Sequence, residues 1–200
     1  FLLLILFGGT AQTKGTLTEQ KYLELQDKIR FSVNGNYDEG LIYVNQMLNS
    51  DNETHKAFAY GAGSYLYQLK GNPNQSDKMY AEAIKHLAKI PESINKTKLN
   101  AYLCNYRGLT YWKRSNYSKA LGNYQEGVKL SSKINDVVQI VKFKANIALL
   151  NEGVGNYQLS IKILRQNDAF LDKNESLYEK DQFQNSKSNT YTNLGNSYEG

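Results

Sequence analysis

Small and apolar side chains follow four tyrosines of this chain at distances of three, four and seven residues. Residues at these spacings share one face of an α-helix, whereas a β-strand would alternate apolar and polar residues. The four sets are Tyr37, Gly40, Leu41 and Val44; Tyr80, Ala83, Ile84 and Leu87; Tyr117, Ala120, Leu121 and Tyr124; and Tyr157, Ser160, Ile161 and Leu164. The pattern predicts that a helix opens at each set.

A short phrase recurs in front of these helices. It reads Gly35-Asn36-Tyr37, then Ser115-Asn116-Tyr117, then Gly155-Asn156-Tyr157, and Gly71-Asn72 nearly fills the missing position, with its tyrosine delayed to Tyr80. Self-similarity at a period of roughly 20 to 50 residues is typical of proteins built from stacked repeats. The sequence therefore predicts a repeat architecture.

The stretch before each phrase is also predicted to be helical. Three times it carries a small residue with a tyrosine three positions later: Ser64 and Tyr67, Gly108 and Tyr111, and Gly195 and Tyr198. Small residues allow two helix backbones to approach closely, and tyrosine rings fill the space beside them. The predicted unit is a hairpin of two helices.

These residues resemble the tetratricopeptide repeat (TPR) family, in which a Leu-Gly and Tyr first helix leads through a Gly-x-Tyr turn to an Ala-bearing second helix. The best local matches are Leu194-Gly195 with Tyr198, and the run Gly108, Tyr111, Tyr117, Ala120 and Tyr124. The resemblance covers residues 21–200, with repeats starting near Lys21, Ala57, Ala101, Val141 and Ser188. It implies an all-α fold, a right-handed α-solenoid of antiparallel helical hairpins with about four full repeats and a truncated fifth.

The predicted repeats are longer than the family's unit of about 34 residues. We expect the extra length in two insertions, at residues 73–78 between paired helices and at residues 172–187 between units. The chain stops at Gly200, partway through the predicted fifth repeat, so we expect more protein to follow in the full gene.

The first residues carry an apolar run from Phe1 to Phe7 that ends at Gly8-Gly9. With the small residues that follow, residues 1–11 are typical of the remnant of a signal peptide, and residues 12–20 of a leader. An uncleaved anchor and a buried helix remain open as alternatives. Export, to a periplasmic location or with a tether through a missing C-terminal segment, is the favoured prediction.

The net charge of +5 raises the question of nucleic-acid binding. Of 24 basic residues only Arg30, Arg107, Arg114 and Arg165 are arginine, and the lysines are scattered among acids. Recognition of base edges relies on forked guanidinium groups. We therefore expect no direct nucleic-acid binding by this segment.

Residues suited to catalysis are scattered. His55 and His86 are isolated, Cys104 is the one cysteine, and no phosphate-binding glycine loop or nucleophile elbow occurs. We expect no catalytic activity, no cofactor, no metal site and no membrane contact beyond the signal segment.

Function is then expected to come from surface shape. In TPR proteins the first helices line a concave groove that binds protein or peptide ligands, and the resemblance carries that role to one set of positions. Inter-repeat packing is the favoured role of Trp112 and the tyrosines, and Trp112 is the strongest single candidate for a ligand contact. The set is Phe58, Tyr65, Tyr102, Asn105, Leu109, Trp112, Lys142, Asn146, Leu149, Asn193 and Asn196.

Two functions from different classes are expected. The first is an exported, stand-alone scaffold that holds a protein partner. The second resembles a bacterial sensor, in which an extracytoplasmic repeat array precedes a membrane helix and a cytoplasmic transcriptional regulator or histidine kinase. A catalytic domain after the array is a third, weaker alternative.

The pattern of converging cations that binds a ligand carboxylate in chaperone-binding relatives is not evident, because only Lys113 and Lys142 are near candidates.

Overall fold

A computed structural model describes residues 17–199, and these residues form an all-α fold with no β-strand among them. The helices of the described part are α1 (Glu19–Ser32), α2 (Tyr37–Leu48), α3 (Glu53–Leu69), α4 (Pro73–Ala88), α5 (Ile94–Lys113), α6 (Tyr117–Lys133), α7 (Val137–Gly153), α8 (Tyr157–Lys173) and α9 (Lys180–Glu199). None of the described helices is long and apolar enough to cross a bilayer. The predicted signal segment, residues 1–11, lies outside the described residues, and α1 begins inside the predicted leader.

The Gly-Asn phrase forms the turn inside the helix pairs, as the sequence predicts. Gly35, Gly71 and Gly155 have φ values of 133°, 75° and 82°, a backbone region that suits glycine because it lacks a Cβ. The asparagine that follows is the N-cap of the next helix. The side chains of Asn72 and Asn116 accept a hydrogen bond from a backbone N–H of the first turn, which leaves one fewer donor unpaired.

Two turns adopt the same left-handed backbone without glycine. Ser115 has a φ of 55° before α6, and Asn135 has a φ of 53° before α7. The second turn was not predicted, although Asn135-Asp136 is a natural sequence for it. The Asp136 carboxylate accepts a hydrogen bond from the backbone N–H of Gln139 at 3.1 Å and so caps α7.

The predicted insertion at residues 73–78 is wrong, because these residues form the first turns of α4. Pro73 occupies the first helical position, where the N–H that proline lacks would have no partner inside the helix. Tyr80 therefore lies two turns inside α4 and does not begin it. In α2, α6 and α8 the fourth residue after the N-cap is small: Gly40, Ala120 and Ser160. In α4 the equivalent residue is the fully buried Ser76, and not Ala83 as the sequence pattern implied.

Helices pack mainly on their neighbours in sequence. The pairs α1–α2, α3–α4, α5–α6 and α7–α8 are joined by turns of three or four residues, which bring the second helix back along the first. The odd-numbered helices also pack side by side in the order α3, α5, α7 and α9. This arrangement gathers side chains of the odd-numbered helices on one face of the molecule.

Glycines allow the helices of this stack to approach closely. A Cβ on Gly108 of α5 would overlap the ring of Tyr124 on α6, and one on Gly127 of α6 would overlap the ring of Phe143 on α7. Both rings are fully buried and belong to one apolar cluster, whereas a larger cluster extends from α1 to α5. Gly195, which the sequence pairs with Tyr198 in the same way, faces open space in the described residues.

A cluster of charged groups spans the looser junction between α4 and α5. Asp77 accepts hydrogen bonds from Arg107 at 2.7 Å and from Arg114 at 3.0 Å. The guanidinium of Arg107 also lies 4.6 Å from the ring centre of Tyr80 and 4.3 Å from that of Tyr111, within cation–π range. These contacts fix α5 against α4, whose backbones approach each other at few points.

The predicted insertion at residues 172–187 is largely helical. Helix α8 continues to Lys173, and α9 begins at Lys180, so the connection between them has six residues, of which Glu175–Leu177 form a 3-10 turn. The Tyr178 hydroxyl donates a hydrogen bond to the Val137 carbonyl at 3.2 Å. This bond ties the connection to the start of α7.

Candidate functional site

A recess of about 630 Å³ opens on the face that the odd-numbered helices form. Its walls come from each odd-numbered helix, or from the residue at its end, and from none of the even-numbered helices. They comprise Arg30 and Val33 from α1; Tyr65 from α3; Lys98, Tyr102, Asn105, Tyr106 and Leu109 from α5; Asp136, Val138, Gln139 and Lys142 from α7; and Gln182 from α9. Residues more than 150 positions apart therefore meet around one space, which requires the row of odd-numbered helices to curve.

Two further recesses continue the central one at either side. The first, of about 480 Å³, lies among α1, α3 and α5 and shares Arg30, Lys98 and Tyr102 with the central recess. The second, of about 420 Å³, lies between α7 and α9 and shares Val138 and Lys142. We call the three together the odd-helix groove. Its length suits an extended segment better than a compact small molecule.

Aromatic and amide side chains line the middle of the odd-helix groove. Tyr102 is half-buried and meets the Phe58 ring edge to face, with centroids 6.4 Å apart. The Asn146 side chain donates a hydrogen bond to the Asn105 side-chain oxygen at 3.0 Å, which joins α7 to α5 across the groove floor. The wall thus combines rigid rings with groups able to pair with a peptide backbone.

Positive charge predominates in the central recess, where Arg30, Lys98 and Lys142 face a single carboxylate, Asp136. Lys98 lies 4.0 Å from Asp136. The Arg30 guanidinium pairs with Asp27 at 3.2 Å and lies 5.6 Å from the ring centre of Tyr102. Lys142 forms no ion pair with a described residue. Although its side chain reaches solvent, the surrounding groove walls desolvate its ammonium, and together with the positive charge of Arg30 they hold its pKa below the usual range.

The same recess contains a polar group that lacks a partner. Gln139 is 8% exposed and lines the recess, and its side-chain oxygen accepts no hydrogen bond from any described residue. An acceptor buried without a donor costs roughly 1 to 3 kcal/mol. The oxygen lies just beneath the recess surface, so a bound donor would reach it once the amide turns toward the recess.

Most of the residues that the sequence assigned to a groove do come together. Within the odd-helix groove lie Tyr65, Tyr102, Asn105, Leu109, Lys142, Asn146, Leu149 and Asn193. Three of the assigned positions lie elsewhere. Phe58 is fully buried in the core and is unavailable to a ligand, and Asn196 is exposed but lines none of the three recesses. Trp112, the strongest candidate from the sequence, packs edge to face on Tyr124 with centroids 6.5 Å apart, so its observed role is packing.

Sequence reasoning missed several polar and charged residues of the recess. Lys98, Gln139 and Gln182 fall before the predicted repeat starts or inside the predicted insertion at residues 172–187. A local signal was present for the first two, because Ser93 and Asp136 cap α5 and α7 several residues ahead of the predicted starts. Nothing in the sequence indicated that Arg30 would reach the same space as α7.

Both histidines make contacts within the fold, and Cys104 is buried. His55 is buried, stacks on Tyr22 at 4.2 Å and lies 2.8 Å from the Ser50 hydroxyl, and burial lowers its pKa. His86 contacts Glu53 at 2.5 Å, which lowers the pKa of that carboxyl. Residues 17–199 contain no group of three or more histidine, cysteine, aspartate and glutamate side chains placed to hold a metal ion.

Comparison with known proteins adds little to this picture. The sequence matches no protein-family model and no curated protein. Among solved structures the chain is similar to BtubC (BKLC) from P. vanneervenii, at 14% sequence identity over 90% of this chain and 83% of that chain, with a TM-score of 0.44. A likeness at this TM-score indicates no function for the chain, so the functional proposal rests on the groove.

Proposed function

We propose that this chain is a non-catalytic module of the TPR-like solenoid type that binds a protein or peptide segment in the odd-helix groove. The observation that carries the proposal is the lining of one continuous groove by all five odd-numbered helices. Such a surface is assembled only when the helices stack, so it is a property of the whole array.

The chemistry of the lining supports a peptide as the ligand. Tyrosine rings give a large contact area and lose little rotamer freedom, while asparagine and glutamine side chains pair with backbone N–H and C=O groups in either sense. The same groove would serve a stand-alone exported scaffold and the sensor part of a longer signalling protein. In a sensor, binding would bias the equilibrium between two states of the attached domain.

Selection from a library of random displayed dodecapeptides tests the proposal. Ala145 lines the recess between α7 and α9, so Ala145→Arg fills that recess with a bulky side chain. We expect selected peptides to lose binding to Ala145→Arg and to keep binding to Ile84→Arg, a control on the exposed surface of α4. Circular dichroism checks that both variants remain helical. Peptides that bind both variants equally, or a failure to select any peptide, would refute a groove-based binding role.

A further inference from the structure

Lys142 brings to the central recess a positive charge without a protein partner among residues 17–199, whereas Arg30 pairs with Asp27 and Lys98 lies 4.0 Å from Asp136. Three cations and one carboxylate line the recess. Lys142 and Arg30 line the same recess, and the repulsion between their like charges costs free energy in the unbound protein. An anion beside both groups would remove that cost.

The unpaired Gln139 oxygen narrows the class of ligand further. A simple inorganic anion offers no hydrogen-bond donor to this acceptor, whereas a peptide carries an N–H at nearly every residue. The terminal amide torsion of glutamine is broad, so the oxygen can turn toward a donor at the recess wall. Positive charge and an acceptor in one recess therefore match a peptide that has both a carboxylate and free backbone N–H groups.

We propose that the central recess recognises an internal aspartate or glutamate side chain of an extended peptide. The carboxylate lies beside Lys142 and Arg30, and a backbone N–H of the same peptide donates to the Gln139 side-chain oxygen. This inference rests on the proposed peptide-binding function and specifies its ligand. It corrects the expectation from the sequence that converging cations are absent, because Arg30 and Lys98 come from segments that the sequence did not place at the groove.

The test uses three synthetic pools of nonapeptides with acetylated and amidated ends, whose central residue is fixed as Glu, Gln or Lys and whose flanks are randomised. Binding of the labelled full chain to immobilised pools is measured at low and high salt. We expect the Glu pool to bind about two- to fivefold more strongly than the Gln pool, the range for a partly screened charge pair. The Lys pool should bind least, and high salt should reduce the differences.

Two variants separate the parts of the proposal. Lys142→Gln should lower binding of the Glu pool toward the level of the Gln pool, because Arg30 alone then remains beside the carboxylate. Lys162→Gln, at an exposed lysine of α8, should leave binding unchanged. Gln139→Met removes the buried unpaired oxygen, so it should raise the thermal midpoint, or at least not lower it, yet weaken binding of all three pools.

The outcomes distinguish this inference from the function on which it rests. If no pool binds, peptide binding itself is refuted. If the Glu and Gln pools bind equally and Lys142→Gln has no effect, peptide binding stands and recognition of an acidic side chain is overturned. A fourth pool with a Gln centre and a free C-terminal carboxylate serves as a comparison. If this fourth pool binds best, the recess binds a C-terminal carboxylate, and the proposal of an internal side chain is wrong.

Discussion

Gly127 provides the sharpest test of how closely these helices pack. It lies on α6 beneath the fully buried ring of Phe143, and a Cβ at this position would lie within 3.0 Å of three ring atoms. Gly122 lies on the exposed side of the same helix, and a Cβ there would meet nothing within 4 Å. Alanine at either site therefore changes helix propensity in the same way, but only Gly127→Ala creates a clash.

The expected magnitudes follow from two opposing effects. Alanine favours a helix interior over glycine by up to about 1 kcal/mol, so Gly122→Ala should raise the free energy of unfolding by about that amount. Overpacking of a rigid core costs about 1 to 3 kcal/mol, so Gly127→Ala should be less stable than Gly122→Ala by that difference. For a chain of this size the gap corresponds to roughly 2 to 12 °C in the thermal midpoint.

Urea denaturation followed by circular dichroism measures the free energy of unfolding of both variants. The comparison is valid if this free energy falls with urea concentration at the same slope in both. Phe143→Leu in the Gly127→Ala background should recover part of the loss, with a coupling free energy of about 0.5 kcal/mol or more. Equal stability of the two alanine variants would show that α6 and α7 do not depend on this close approach, and the packing argument would fail.

Further predictions concern one turn, one thiol and one histidine. Ser115→Gly should stabilise the protein by about 0.5 to 1 kcal/mol in urea denaturation by relieving its positive φ, whereas Gly155→Ser should destabilise it. Burial raises the pKa of Cys104 to about 12, so iodoacetamide at pH 8 should label it only after unfolding; rapid native labelling would contradict its burial. Burial lowers the pKa of His55, so the unfolded chain binds more protons and stability should fall as pH decreases below about 6.5. His55→Gln should flatten that fall in urea denaturation at several pH values, and an unchanged slope would refute it.

The helices and turns were predictable where their chemistry is local. Gly35-Asn36 and Gly155-Asn156 combine a residue that tolerates positive φ with an N-cap, and both turns form as predicted. The register of α4 was not predictable from its tyrosine, because Tyr80 lies two turns inside the helix and still satisfies the same periodic pattern. Periodicity determines the face of a helix but leaves its starting residue open.

The groove was partly predictable for a related reason. The TPR resemblance assigned Tyr102, Asn105 and Asn146 to one face, and these residues line neighbouring recesses on that face. Arg30 reaches the same recess only because the row of helices curves, and curvature depends on packing at every junction. Trp112 packs edge to face on Tyr124, in keeping with the inter-repeat packing that the sequence also suggested for this ring.

The placement of Arg30 and Gln182 at one recess has a mechanical consequence. These residues belong to the first and last described helices, and the helices between them are held chiefly by contacts with adjacent helices. Small changes in the angle between adjacent helices would therefore add up along the row, and the distance between Arg30 and Gln182 would change with them. A ligand that contacts both Arg30 and Gln182 would restrict the motion of all the odd-numbered helices together, without any dedicated hinge.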